Sequence, residues 1–186
     1  ILTRAQTAYG VKTDKGEEFS AKVIVANANT HDIFHKMLEQ DACPDDYLAN
    51  FAKLSVSLSS FQIFLGVKDN IIGKSGIVDS EIFYESSYDL DANYRAAQKA
   101  DVENGCFGLT LYDNIYDGYS PEGKNTINII ALQGYDHWEK YESDYFNGNK
   151  SAYKEEKERM ADILVQRVEE MLLPGLSKAI EVKEIG

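Results

Sequence analysis

A chain of 186 residues with a net charge of −12, 44% hydrophobic and 27% charged, has room for one packed core, or for a core and a smaller lobe. Its acidic balance argues against DNA or RNA as a partner, because phosphate binding rests on clustered Lys and Arg, and no apolar run approaches the roughly 20 residues of a membrane span. Cys43 and Cys106 form no CxxC pair and favour a reducing compartment, read as cytoplasmic, over a disulfide framework.

The chain opens ILTRAQTAYG, with neither an initiator Met nor the basic start and apolar core of a signal peptide, and so reads as a piece of a longer protein. From Gly10 to Asn29 the pattern is one extended arm, a turn at Asp14-Lys15-Gly16, and a second extended arm. Val23-Ile24-Val25-Ala26 is a continuous apolar run of mostly β-branched residues, which suits a strand buried on both faces. Asn27-Ala28-Asn29-Thr30 then offers small residues and a capping hydroxyl for a helix start. Ile33, Phe34, Met37 and Leu38 share one face of a helix over 30–39. His31 and His35 have metal-ligand spacing, but no third ligand lies nearby and no general base sits between them, so they read as exposed polar residues. After Cys43-Pro44-Asp45-Asp46 a second helix runs through Lys53 and buries Leu48 and Phe51.

Leu54 to Lys68 is the longest strand candidate, with Phe61, Ile63, Leu65 and Val67 on one face. Val56 and Leu58 fall on the other parity, so the phase change at Ser59-Ser60 predicts a bulge or bend. A Gly-bearing connection over 69–76 leads to a second strand, Ser80 to Tyr88. A short surface helix with a thin apolar face follows over 91–102, then strands at Cys106–Ile115 and Thr126–Gln133. Between those two strands lies the turn Asp117-Gly118-Tyr119-Ser120-Pro121-Glu122-Gly123. An aromatic, acidic stretch over 136–149 carries Trp138, Tyr141, Tyr145 and Phe146. Ser151 then caps a long helix whose stripe is Met160, Ile163, Leu164, Val168, Met171 and Leu172. Pro174-Gly175 ends it, and Ala179–Ile185 is a last strand. Together these elements predict an α+β fold: a mixed, mainly antiparallel sheet with helices packed on one face.

Three stretches carry a resemblance. The pattern G-V-x-T-x-x-G-x-x-x-x-A-x-x-V-I-x-A-N-A begins at Gly10; a strand runs into Asp117–Gly123, then a strand, then Trp138; and the long helix ends in Pro174-Gly175-Leu176. In this order the chain resembles FAD-dependent phytoene dehydrogenase-like enzymes, a family that includes phytoene desaturases, carotenoid isomerases and retinol saturases. Gly118 stands where that family usually has Pro, which loosens the turn without changing the order of elements. The GxGxxG turn that cradles a dinucleotide is absent from the sequence. The resemblance therefore implies an internal fragment. Residues 1–30 form the hairpin and strand returning to an FAD domain, and 31–186 form a substrate-binding domain. It also implies FAD in the full-length parent, approached there by Ala26, Asn27 and Ala28, with no FAD bound to the fragment alone. The implied partners are an apolar small-molecule substrate and the remainder of the chain, and peripheral membrane contact of the parent stays open.

No Ser/His/Asp or Cys/His constellation stands out, and the acids are spread too evenly to nominate a catalytic pair. In a flavoenzyme the cofactor carries the redox step while the protein supplies position and an apolar pocket. On that reading the parent desaturates, saturates or isomerises C=C bonds of a polyene or related lipid, and the fragment alone has no activity. Gln62, Phe64, Tyr84, Tyr112 and Trp138 are the candidates for the substrate wall, with ordinary core packing as the plain reading of the aromatic ones, Phe61 among them. A different class of function is also open: a stand-alone, non-catalytic α+β module that binds a ligand or a protein.

Overall fold

A computed structural model describes residues 1–39, 42–55 and 57–186, and the chain divides into two compact units, Ile1–Val56 and Ser57–Gly186. In the first unit, β1 (Leu2–Arg4), β2 (Thr7–Lys12) and β3 (Glu18–Ser20) form an antiparallel sheet in that order. Gly16 closes the β2–β3 turn at φ +85°, donating its N–H to Thr13 O at 3.0 Å. The strand expected over Val23–Ala26 does not form. That stretch is irregular, with Val23 and Val25 75% and 89% exposed. A doubly buried strand needs a partner on each side and cover on each face, and the three-stranded sheet ends at Ser20 without supplying them. α1 (Thr30–Asp32) runs on into one π-helical turn, Ile33–Met37. Its cap is the Asn29 side chain, which accepts from Asp32 N at 3.3 Å, rather than the Thr30 hydroxyl. α2 (Asp45–Phe51) brings Tyr47 and Phe51 to within 5.0 and 5.7 Å of the Phe34 ring.

The second unit contains, in chain order, β4 (Ser59–Val67), α3 (Ile71–Ser75), β5 (Glu81–Tyr84), α4 (Leu90–Gln98), β6 (Phe107–Thr110) and β7 (Asn125–Gln133). It continues with α5 (Asp136–Glu139), α6 (Glu142–Phe146), α7 (Ser151–Met171), α8 (Leu176–Ala179) and β8 (Ile180–Ile185). The strands form one sheet in the order β5-β6-β7-β4-β8. The fold is α+β, as its pattern predicts. Every described strand pair is antiparallel rather than mixed, because the one segment expected to add a parallel-type strand, Val23–Ala26, joins no sheet.

β4 and β7 pair without interruption from Ser59↔Gln133 to Val67↔Asn125, so the expected bulge at Ser59-Ser60 is absent. The change of parity there marks only the start of the strand; Val56 lies outside the described residues. An irregularity occurs instead at Gly66/Val67, on the side facing β8. Phe61, Ile63, Leu65 and Val67 meet Ile127, Ile129, Phe107 and Leu109 on one face of the sheet, and Met160, Ala161, Leu164 and Val168 of α7 complete that core. Ser151 is the first residue of α7 rather than its cap, and its hydroxyl donates to Glu155 Oε1 at 3.0 Å. Gly175, at φ +88°, turns the chain out after Pro174. The connection over 69–76 contains the short α3, which buries Ile71 and Ile72, and the Ile72 N–H donates to the buried Asn125 Oδ1 at 3.1 Å. No helix among the described residues is long and apolar enough to cross a membrane.

α5 is tied to α7 by Glu156, whose Oε1 lies 2.8 Å from His137 Nε2 while Arg159 holds both carboxylate oxygens at 2.8 and 2.9 Å. The Arg159 hydrogen bonds, aided by His137, hold the Glu156 carboxyl below its ordinary value of 4.5 against the opposing effect of burial. A carboxylate depressed in the folded state stabilises the fold above its ordinary value and loses that contribution as pH falls through the lower folded one. Glu156→Gln is therefore expected to lower the melting temperature at neutral pH, with the gap from wild type closing below about pH 4.5. Melts across an acid series check this; a gap independent of pH would show that the charge is not the cause.

Candidate functional site

The residues of the large sheet that alternate with the core form its outer face. Gln62, Phe64 and Gly66 of β4 stand there beside Asn128, Ile130 and Leu132 of β7, Gly108 of β6 and Phe83 of β5. Phe64 is 43% exposed and Phe83 74%, although both are large and apolar. Such a face is expensive to leave in water and marks a binding surface more often than chance. Near its centre Asn128 Nδ2 donates to Gln62 Oε1 at 3.3 Å, while Asn128 Oδ1 has no hydrogen-bond partner among the described residues.

Toward the β5–β6–β7 end this face runs under α4. A cavity of about 400 Å³ lies there, roofed by Leu90, Tyr94 and Ala97 and floored by Phe83, Ile130 and Leu132. That volume is in the range of small-molecule sites. The Asp89 side chain caps α4 by accepting from Ala92 N at 3.0 Å, and at the other end Gly134 N donates to Ala97 O at 2.9 Å. Gly108 keeps the floor low: a Cβ there would come within 2.9 Å of Ile130 Cγ2. Behind the wall, the buried Arg167 guanidinium lies 5.0 Å from the Phe107 ring and 5.3 Å from Tyr84, and its Nη1 donates to Val102 O at 2.7 Å.

The rim is polar. Asn93, almost fully buried on α4, donates to Glu85 Oε2 at 2.7 Å and to Ser87 O at 2.8 Å. The Cys106 thiol donates to the same Glu85 Oε2 at 3.0 Å, and Ser86 Oγ donates to Asn93 Oδ1 at 3.1 Å. Glu85, Asn93 and Cys106 all line the cavity.

The five residues expected to form a substrate wall are not brought together. Gln62 and Phe64 stand on the outer face, Gln62 directly opposite Ile130 of the cavity floor. Tyr84 is on the helix-covered face, stacked on Phe107 at 5.0 Å. Trp138 is on that side too, stacked on Phe61 at 6.1 Å with its indole N–H donated to Gln133 Oε1 at 2.9 Å. Tyr112 lies in a 3₁₀ turn (Tyr112–Asn114), edge-on to Tyr116 and Tyr119, and donates to Glu81 Oε1 at 3.0 Å; that hydrogen bond raises its hydroxyl pKa. α4, expected to be a surface helix, is the element that makes the cavity. The spacing of Leu90, Tyr94 and Ala97, four and then three residues apart, carried that signal.

Ala26, Asn27 and Ala28 lie in exposed, irregular chain ahead of α1. α1 is only three residues long, Asn29 takes up its first turn, and no glycine-rich loop precedes it. Among the described residues nothing there forms a pyrophosphate cradle. A titration of the 186 residues with FAD is expected to show no saturable binding in the micromolar range; tight binding would overturn that.

No family model matches the chain. Over its whole length it is 28% identical to a prolycopene isomerase of Daucus carota, spanning 28% of that protein. Over 96% of its length it is 28% identical to the Arabidopsis thaliana prolycopene isomerase, spanning 27% of it. The chain resembles prolycopene isomerases from end to end. It also aligns in full, at 21% identity, with an all-trans-retinol 13,14-reductase of Danio rerio, of which it spans 32%. The chain thus spans less than a third of each of these relatives, and the two plant proteins are named as chloroplastic. The likeness to the phytoene dehydrogenase-like group, with its carotenoid isomerases and retinol saturases, extends over the entire sequence.

Proposed function

We propose that this chain is the substrate-side part of a longer flavin-dependent oxidoreductase that acts on the carbon–carbon double bonds of an apolar polyene. The observation that carries the reading is the apolar cavity under α4, opening onto a largely apolar outer sheet face, in a chain similar throughout to prolycopene isomerases. An extended polyene would lie along Phe83, Ile130, Gln62 and Phe64, with one end beneath α4. The chain's own contribution is binding, orientation and exclusion of water. Residues 31–186 hold the substrate. Residues 1–30 lead back to a cofactor domain, where Val23–Ala26 gain the sheet neighbours they need and Ala26, Asn27 and Ala28 come near FAD. FAD, when bound there, supplies the redox chemistry.

The coding context tests this directly. The expected result is a GxGxxG segment upstream in the same reading frame, and a full-length protein that purifies yellow and converts a polyene. A stop codon immediately ahead of Ile1, or a full-length protein free of flavin and inert toward polyenes, would overturn it.

A further inference from the structure

We propose that Arg167 is a positioning residue for the α4 cavity: from the α7 side it holds the loop over 99–105 that walls the cavity, and so fixes the width of the chain end the cavity accepts. This rests on the cavity being the polyene site.

The loop joins α4 to β6 and supplies Ala100, Asp101, Val102 and Gly105 to the cavity lining. Its own hydrogen bonds are internal or return to α4. Asp101 N donates to Ala96 O at 3.0 Å, Val102 N to Ala100 O at 2.9 Å and Gly105 N to Asp101 O at 2.8 Å. Such bonds shape the loop but do not fix it against the sheet. Ala100 sits at φ +54°, a left-handed conformation that a residue with a Cβ adopts at a cost. Released, the loop has reason to move. Among the described residues its one hydrogen bond to an element beyond α4 comes from Arg167, whose Nη1 donates to Val102 O at 2.7 Å. The Arg159–Glu103 ion pair, at 3.7 Å and exposed, adds little.

Packing alone does not account for Arg167. It is only 9% exposed, and no carboxylate lies within ion-pair distance of it among the described residues, whereas Arg95 and Arg159 each have one. Taking a cation out of water without a counter-ion is costly. The Phe107 and Tyr84 rings, 5.0 and 5.3 Å away, offset part of that cost. A Met in the same space would avoid it altogether. What a Met cannot do is hold a carbonyl. With two rings beside it, the guanidinium has its donors fixed in direction, so Val102 O is kept in one place. Without that bond the left-handed turn at Ala100 is free to relax, and the wall gives way.

The test compares two symmetrical fluorescent hydrocarbons built on one conjugated tetraene chain, one with methyl and one with tert-butyl groups at its ends. Each is titrated into the 186-residue chain. The wild type is expected to bind the methyl-ended chain about tenfold tighter, because a fixed wall resists overpacking. In Arg167→Met that preference should vanish while both probes still bind. Arg167→Lys keeps a donor but loses the flat fork, so its preference should fall to about threefold. A purely structural role would lower the melting temperature and weaken both probes alike, leaving their ratio at the wild-type value. An Arg167→Met protein that keeps the tenfold ratio overturns the proposal, and so does a wild type that binds both probes equally; in either case the polyene site stands. Saturable binding of neither probe by the wild type overturns both. Should Arg167→Met fail to fold, Arg167→Lys decides by the same ratio, an undiminished preference counting against the proposal.

Discussion

Phe61→Ala is expected to cost roughly 3–5 kcal/mol of stability, while Phe64→Ala, three residues along the same strand, leaves the fold nearly as stable. The difference is one of face. Phe61 is 3% exposed, packed in the core and stacked on Trp138; Phe64 is 43% exposed on the outer face. Truncating Phe61 removes buried area and opens a void between β4 and the Trp138 ring, which cannot follow without giving up its hydrogen bond to Gln133. Truncating Phe64 removes surface that is already half in water. In a domain of this size the first change should lower the melting temperature by on the order of 10 °C. Phe64→Ala should instead weaken polyene binding, since it lies on the path from the cavity. Thermal melts of the two variants decide. If Phe64→Ala destabilises as much as Phe61→Ala, both faces are core and the ligand surface lies elsewhere.

What could be read ahead of the structure, and what could not, follows from how far each feature depends on its neighbours. The two faces of β4 are written in its own residues: Phe61, Ile63, Leu65 and Val67 alternate with Gln62, Phe64 and Gly66 at the strand period. The α7 stripe and its stop at Pro174-Gly175 are equally local. Val23–Ala26 shows the limit of such reasoning, because β-branched residues state a preference but cannot provide the partner strands. α3 was hidden by its length, five residues being too few to show a helical period around Ile71 and Ile72. Tyr84 and Trp138 announce bulk and an apolar body, but strand register is what puts Tyr84 opposite Phe107 on the α7 side, and tertiary packing of α5 is what lays Trp138 over Phe61. The cavity was out of reach for the same reason. It exists because α4 is laid across the sheet end, and that placement is fixed by contacts distant in sequence, such as Gly134 with Ala97.

That contact yields the second large effect. Gly134→Ala is expected to destabilise the protein by roughly 1–3 kcal/mol and to weaken polyene binding at the same time. A Cβ at 134 would fall well inside contact distance of Gln98 O, with the Gln98 carbonyl carbon and Cα both at 3.0 Å. These are backbone atoms at the end of α4 and cannot rotate aside as a side chain would, so the helix itself has to move. Moving it strains the 2.9 Å bond from Gly134 N to Ala97 O and lifts Leu90, Tyr94 and Ala97 from the cavity floor. Gly66→Ala is the matched control. Its new methyl would meet Val182 Cβ at 3.4 Å, an ordinary contact with a side chain rather than with backbone, and Gly66 has no positive φ, so its melt should stay at or slightly above that of the wild type. Melting curves of the two variants, with titrations of each against a fluorescent conjugated polyene, give the comparison. A Gly134→Ala protein that melts and binds like wild type would mean that α4 is not pinned at this point and that the cavity roof is set elsewhere.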